Sequence, residues 1–295
     1  MKPIRAELLL LVVTIFWGSS YLFMKMGLDS LGEFNLIALR FGIAFILAAV
    51  IFSRRLRHIN LYVMKYSMLL GFILFLVFVT ITFGLNTTTT SNAGFLVSLT
   101  VVFVPLINTL ILKKKIEMKL TISIILAITG IALLTLHFPV AITPGDLLCI
   151  IGAFFYAIHI IVVGQLAQKA DTLTLGILQL GFAGLFGFIF AFIFETPVIP
   201  NSTTSWVSIL VLSIFCSAVG FILQVIAQKY TSPARTGLIF SLEPVFAALF
   251  GYLFAHEFMS ISGYIGASLV LLSIIISTSK FPSNRTTLEK EYGMK

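Results

Sequence analysis

YTSPARTGLIFSLEPVFAALFGYLFAHE, residues Tyr230–Glu257, opens on a polar cap and then runs apolar from 234 to 255. About 20 such residues in helical form cross the hydrocarbon of a bilayer. Glu243 nevertheless stands near the middle of the run, beside Pro244, which has no N–H to give the Phe240 carbonyl. A charge at that depth costs about 2.5–3.5 kcal/mol on insertion scales, so it requires a reason. Two readings fit. Glu243 is a carboxylate on a solute pathway, pairing with a cationic group or carrying a proton; or the Glu243–Pro244 pair is a kink whose carboxyl bonds a neighbouring helix.

Working outward, the GLIFSL of this segment (Gly237–Leu242) recurs as GFLVSL at Gly94–Leu99, 143 residues earlier. A shift of 139 pairs Glu7 with Asp146, Trp17 with Tyr156, Arg40 with Gln179 and Gly42 with Gly181, and a shift of 140 pairs Glu117 with Glu257. Together these matches predict a duplicated unit. Apolar runs bounded by charge, Pro, Gly or Asn give ten membrane spans: roughly 6–28, 33–53, 61–84, 91–112, 118–137, 146–168, 172–194, 204–228, 234–255 and 260–279. The fold class is therefore an all-α integral membrane protein of ten transmembrane helices, arranged as two five-helix repeats over 1–140 and 141–280. A polar tail occupies 281–295. Five is odd, so the second repeat enters from the opposite side, as in many secondary transporters.

Composition points the same way. Hydrophobic residues make up 59% of the 295-residue chain and charged residues only 10%, against about 25% charged in a soluble domain. The formal charge of +8 does not mark a nucleic-acid partner, because the basic residues sit in short clusters between apolar runs. With the N-terminus cytoplasmic, 17 of the 19 Lys and Arg residues fall on the inner side, the bias that sets membrane orientation, and both termini are then cytoplasmic. Lys25 lies close enough to its helix end to snorkel. The run from Ala6 to Leu28 exceeds a signal-peptide core and is read as a retained first helix. Cys149 and Cys216 lie in apolar runs with no metal or disulfide spacing.

The set formed by WGSSYLFMK (17–25), the Arg40 helix, TTTTSNAGFLVSLTVVFVPL (87–106) with Glu117 after it, and the opening segment resembles the EamA-type transporters of the drug/metabolite transporter superfamily. The resemblance implies ten helices in two inverted repeats, a bacterial inner-membrane location, and export of amino acids, metabolites or toxic compounds. One departure stands out: the first half has Thr100-Val101 where the second has Glu243-Pro244, and its own Pro105 comes four residues later.

Other polar residues within spans are candidates for a solute pathway. Trp17 and Tyr21 share one helix face, and Tyr156 and His159 another. Inverted symmetry would bring the two faces to a common axis, forming an aromatic cavity; ordinary helix packing is the competing account. Asn92, Ser98, Gln224 and Ser241 line the route or join helices. Arg40 is assigned a structural or gating role with Pro105 and Pro244, attraction of an anionic solute group being the alternative. Glycines 176, 181, 184, 187, 263 and 266 permit close helix packing.

The function expected is that of a secondary transporter exporting amino acids or related small metabolites by alternating access, with a small-molecule substrate, the lipid bilayer and protons as its partners. The alternative is a translocator of a lipid or isoprenoid-linked carrier. A membrane enzyme is disfavoured, since His58, His137, His159 and His256 are scattered and no Walker-type phosphate loop occurs. No metal or cofactor is expected. Reporter fusions after residues 88 and 200 should report the exterior, and fusions after 57 and 115 the interior; the reverse would dismantle this topology.

Overall fold

The computed structural model describes residues 1–110, 117–135, 143–255 and 261–278. The basic cluster Lys113, Lys114 and Lys115, the residues His137, His256 and Glu257, ends of the three expected spans 91–112, 118–137 and 260–279, and the tail from Phe281 lie outside them. Among the described residues the chain is helical, with no strand. Helices α1 (Pro3–Leu28), α2 (Glu33–Ile51) and α3 (Leu61–Gly84) are followed by α4 (Thr90–Ser98), α5 (Thr100–Leu110) and α6 (Met118–Thr135). Next come α7 (Pro144–Leu166), α8 (Thr172–Phe194) and α9 (Thr203–Val211), which continues through a π-helical stretch, Leu212–Val219, into α10 (Gly220–Gln228). The remaining helices are α11 (Pro233–Phe240), α12 (Glu243–Ala255) and α13 (Ile261–Thr278).

Local chemistry explains the boundaries. Asn60, Thr89, Asp171, Ser202 and Ser232 each accept a backbone N–H three residues on, capping α3, α4, α8, α9 and α11. Thr143 and Asp146 form a reciprocal capping box at the start of α7, with Pro144 at the first turn. Glu195 closes α2 from outside its own helix: its carboxylate accepts from the N–H groups of Phe34 and Asn35, both at 2.9 Å. A negative group at a helix N-terminus meets both the free N–H groups and the helix dipole.

Among the described residues seven helical runs, counting Asn92–Leu110 and Thr203–Gln228 each as one, are long and apolar enough to cross a membrane, and two shorter apolar helices cover Met118–Leu133 and Ile261–Ser277. The distribution of polarity is the reverse of that in a soluble protein. Ile46, Val50, Phe192 and Phe194 on α2 and α8 are exposed, while Arg40, Gln179, Gln224, Gln228 and His159 are fully buried. Lipid is the solvent that tolerates such an exterior. The chain is a multi-pass membrane protein.

Three features depart from the helices read in the sequence. The run 204–228 was expected as one α-helix, but its centre is π-helical. The run 91–112 was also expected to be continuous, yet it breaks at Leu99. Pro105 does not cause that break, since it lies inside α5. The carbonyls near it are instead engaged by hydroxyls: Ser98 Oγ donates to the Gly94 carbonyl at 2.7 Å and Thr100 Oγ1 to that of Val97 at 2.6 Å. In the opening segment the break falls at Ser241–Leu242, and Glu243 begins α12 with Pro244 second, where a missing N–H costs least.

Close packing of α2 on α8 depends on glycine. A Cβ at Gly184 would stand 2.7 Å from the Gly42 backbone nitrogen, whereas one at Gly42 would meet nothing within 4 Å. Gly184→Val should therefore destabilise the protein by about 1–3 kcal/mol through overpacking. Gly42→Ala should stay within about 0.5 kcal/mol of the wild type. Thermal unfolding in detergent compares them, and equal midpoints would contradict this packing.

Candidate functional site

A small internal cavity of about 30 Å³ lies near the centre of the bundle, lined among others by Trp17, Tyr21, Arg40, Tyr156, Phe221 and Glu243. It is built where α1, α2, α7, α10 and α12 meet, so both halves of the chain contribute. Gly18 permits the approach of α1 to α12, since a Cβ there would stand 2.6 Å from Phe246 Cβ and 3.1 Å from the Glu243 carbonyl oxygen. Gly220 does the same for Trp17, whose Nε1 would lie 2.7 Å from an added Cβ. About one water needs 10–15 Å³ of such space, whereas small-ligand pockets span about 300–1,000 Å³. This conformation is closed around the cluster.

Trp17 anchors the wall. Its Nε1 donates to the Cys216 carbonyl in the π-helical stretch at 2.7 Å, and its ring lies 5.8 Å from that of Tyr156 in an edge-on arrangement. Phe221 and Phe240 pack on it at 4.9 and 4.8 Å. Tyr21 faces the Glu243 carboxyl. His159 does not line the cavity; it stacks behind Tyr156 at 5.9 Å and bonds Gln179 on α8 through Nε2 at 3.0 Å. Gln224 lies beside Tyr156 and donates to Gln228, which in turn donates to the Ile160 carbonyl, tying α10 to α7.

The structure thus brings together Trp17, Tyr21, Tyr156 and Glu243, with His159 and Gln224 one layer out. Ser98 and Ser241 are buried, but their hydroxyls are spent on carbonyls of their own helices. Asn92 stands apart in the first turn of α4 and is half-buried. Pro244 adjoins the cluster through Glu243, while Pro105 does not line the cavity. Arg40, assigned a scaffold role in the sequence, is one of the lining residues. Sequence reading missed Ser20, Met24, Val97 and Phe221 on the wall, and Ser217 and Gln228 behind it. Gln179 was visible only as the repeat partner of Arg40. Among the described residues no group of three His, Cys, Asp or Glu side chains could hold a metal ion.

The pattern matches a known family twice over. The model of the EamA-like transporter family aligns with residues 4–136 and again with 143–279. The chain belongs to the EamA-like transporter family. A protein of Archaeoglobus fulgidus described as an uncharacterized transporter is 30% identical over 94% of this chain and 86% of its own length. The uncharacterized transporter YoaV of Bacillus subtilis is 24% identical over 94% of this chain and 98% of its own. A solved crystal structure shares the fold at a TM-score of 0.78, with 16% identity, over 94% of this chain and 97% of that one.

In this EamA-like transporter the indole–carbonyl bond joins α1 to the π-helical stretch. Trp17→Phe keeps the ring packing and deletes the donor, and should cost about 1 kcal/mol. Trp17→Ala also empties the wall and should cost about 3–5 kcal/mol. Thermal unfolding in detergent measures both, and a Phe variant as stable as wild type would mean the bond contributes nothing.

Proposed function

We propose that this EamA-like transporter is a secondary exporter of amino acids or related small metabolites, working by alternating access around the central cavity. The observation that carries the reading is convergence: residues of both halves, Trp17 and Arg40 from one and Tyr156 and Glu243 from the other, line one small cavity. In this reading ten spans form two repeats, 1–140 and 141–280, followed by the tail 281–295. Both termini are cytoplasmic in a bacterial inner membrane.

The bundle's contacts support an inverted arrangement. Glu7, near the start of α1, pairs with Arg235 at the start of α11 at 3.3 Å. Its repeat counterpart Asp146, near the start of α7, accepts from Thr88 just before α4. The region of Thr88 adjoins the far end of α1, where Lys25 Nζ donates to the Leu85 carbonyl at 2.7 Å. The two halves thus begin at opposite ends of the bundle and each clasps the other's fourth span. Rocking one half against the other would break one clasp while keeping the second, so that the cavity opens to one side at a time.

Trp17, Tyr21, Tyr156 and Glu243 are the wall of the route, with His159, Gln224, Asn92, Ser98 and Ser241 along it. Glu243 and His159 are the groups able to couple export to protons. Untargeted comparison of cells with and without the protein should show an amino acid or related metabolite depleted when it is present. In proteoliposomes, uptake of that solute should respond to an imposed pH gradient. Glu243→Gln should lower gradient-driven flux by about tenfold, as expected for loss of one charge-assisted contact. Uptake indifferent to the gradient would reject proton coupling in favour of facilitated diffusion. Movement of labelled lipid with no soluble solute transported would overturn the exporter reading.

A further inference from the structure

Arg40 is a buried cation that its own protein leaves incompletely answered. The side chain is fully buried. Nε donates to Ser217 Oγ at 2.7 Å, and Nη1 to Met24 Sδ, a weak acceptor, at 3.3 Å. The guanidinium lies over the Phe78 ring at 4.2 Å and that of Phe41 at 5.2 Å. Those rings attract the cation through their π faces but offer no oxygen acceptor for its N–H groups. Nη2 has no hydrogen-bond partner among the described residues, and no carboxylate there ion-pairs with Arg40. A scaffold arginine in an apolar interior is normally met by a carboxylate, because an uncompensated buried charge is strongly unfavourable. Here the cation instead borders the same cavity as Glu243.

The lining therefore presents three chemically distinct parts. A guanidinium held by Ser217 and set over aromatic rings has a donor without a partner among the described residues, and a planar fork of that kind matches a carboxylate. A single carboxyl, Glu243, is the acidic group of the lining, and it lies within electrostatic range of Arg40. The rest of the lining includes the apolar faces of Trp17, Tyr156 and Phe221.

We propose that Arg40 binds the carboxylate of a small zwitterionic solute and Glu243 its ammonium, with the aromatic wall taking an apolar side chain. This rests on the transporter reading above and assigns the charge pattern by which its cavity selects a solute. Each charge on the protein then answers one charge on the solute, so a ligand with only one of them leaves a buried group unmatched.

The test uses the purified full-length protein and three probes of similar shape: phenylalanine, phenethylamine, which lacks the carboxylate, and 3-phenylpropionate, which lacks the amine. Calorimetry on the wild type should find phenylalanine bound at least about tenfold more tightly than either analogue, the range expected for one charge-assisted contact. Arg40→Gln should weaken phenylalanine to the level of phenethylamine and leave phenethylamine unchanged. Glu243→Gln should weaken it to the level of 3-phenylpropionate. The wild-type comparison decides the matter even if a variant fails to fold. Equal binding of all three probes, or binding of none while proteoliposomes still move soluble metabolites, would overturn the zwitterion assignment and leave the transporter reading intact. If no soluble solute moves in proteoliposomes, the transporter reading falls first.

Discussion

Hydrocarbon offers a backbone N–H or carbonyl nothing to bond with, and every level of this structure follows from that constraint. Helices satisfy these groups internally, which is why the described residues form helices and why their outer faces can be as apolar as Phe192 and Phe194. Non-helical or re-registered backbone is then tolerable only where protein, rather than lipid, supplies the missing partners. The breaks at Leu99 and at Ser241–Leu242 meet this condition through hydroxyls: Ser98 and Ser241 turn back on carbonyls of their own helices, and Thr100, opening α5, donates to the Val97 carbonyl of α4. The π-helical stretch meets it through Trp17, whose indole N–H takes the Cys216 carbonyl.

These three irregularities share a location. Val97, just before the first break, and Glu243, just after the second, both line the cavity, and the π-helical stretch supplies Ser217 to the Arg40 guanidinium beside it. Departures from α-helix concentrate where polar atoms have to be aimed inward. The glycines follow the same logic, with Gly18 and Gly220 clearing the space in which α1 meets α12 and the α9–α10 span. Contacts such as those of Glu195 with the start of α2 and of Arg235 with Glu7 tie helix ends instead.

How much of this was legible in the sequence depended on the kind of signal. Long apolar runs separated by polar caps were plain, because an apolar run of hydrocarbon length has few alternatives to a membrane helix. The encounter of Trp17 with Tyr156 was legible in their pairing at a shift of 139 residues, and their rings lie 5.8 Å apart. The role of individual polar residues was harder to read. Helices that are apolar all round carry no amphipathic stripe, so spacing alone does not say which face turns inward. Asn92 lies in the first turn of α4, and the hydroxyls of Ser98 and Ser241 donate to carbonyls of their own helices, arrangements that residue spacing did not reveal. Phe221 and Gln228 gave no warning, being one Phe among 29 and one amide in a long apolar run.

Chain composition and run length alone determined that this is a helical membrane protein with a carboxylate inside one of its spans, because the energetics of insertion depend on residue type more than on neighbours. Tertiary structure decided what that carboxylate faces. Only packing could place Arg40, from the second helix, on the same cavity as Glu243, and only packing could leave one of its nitrogens without a partner among the described residues. The burial of a charge and the pairing of its donors are properties of assembled helices, and no single span encodes them.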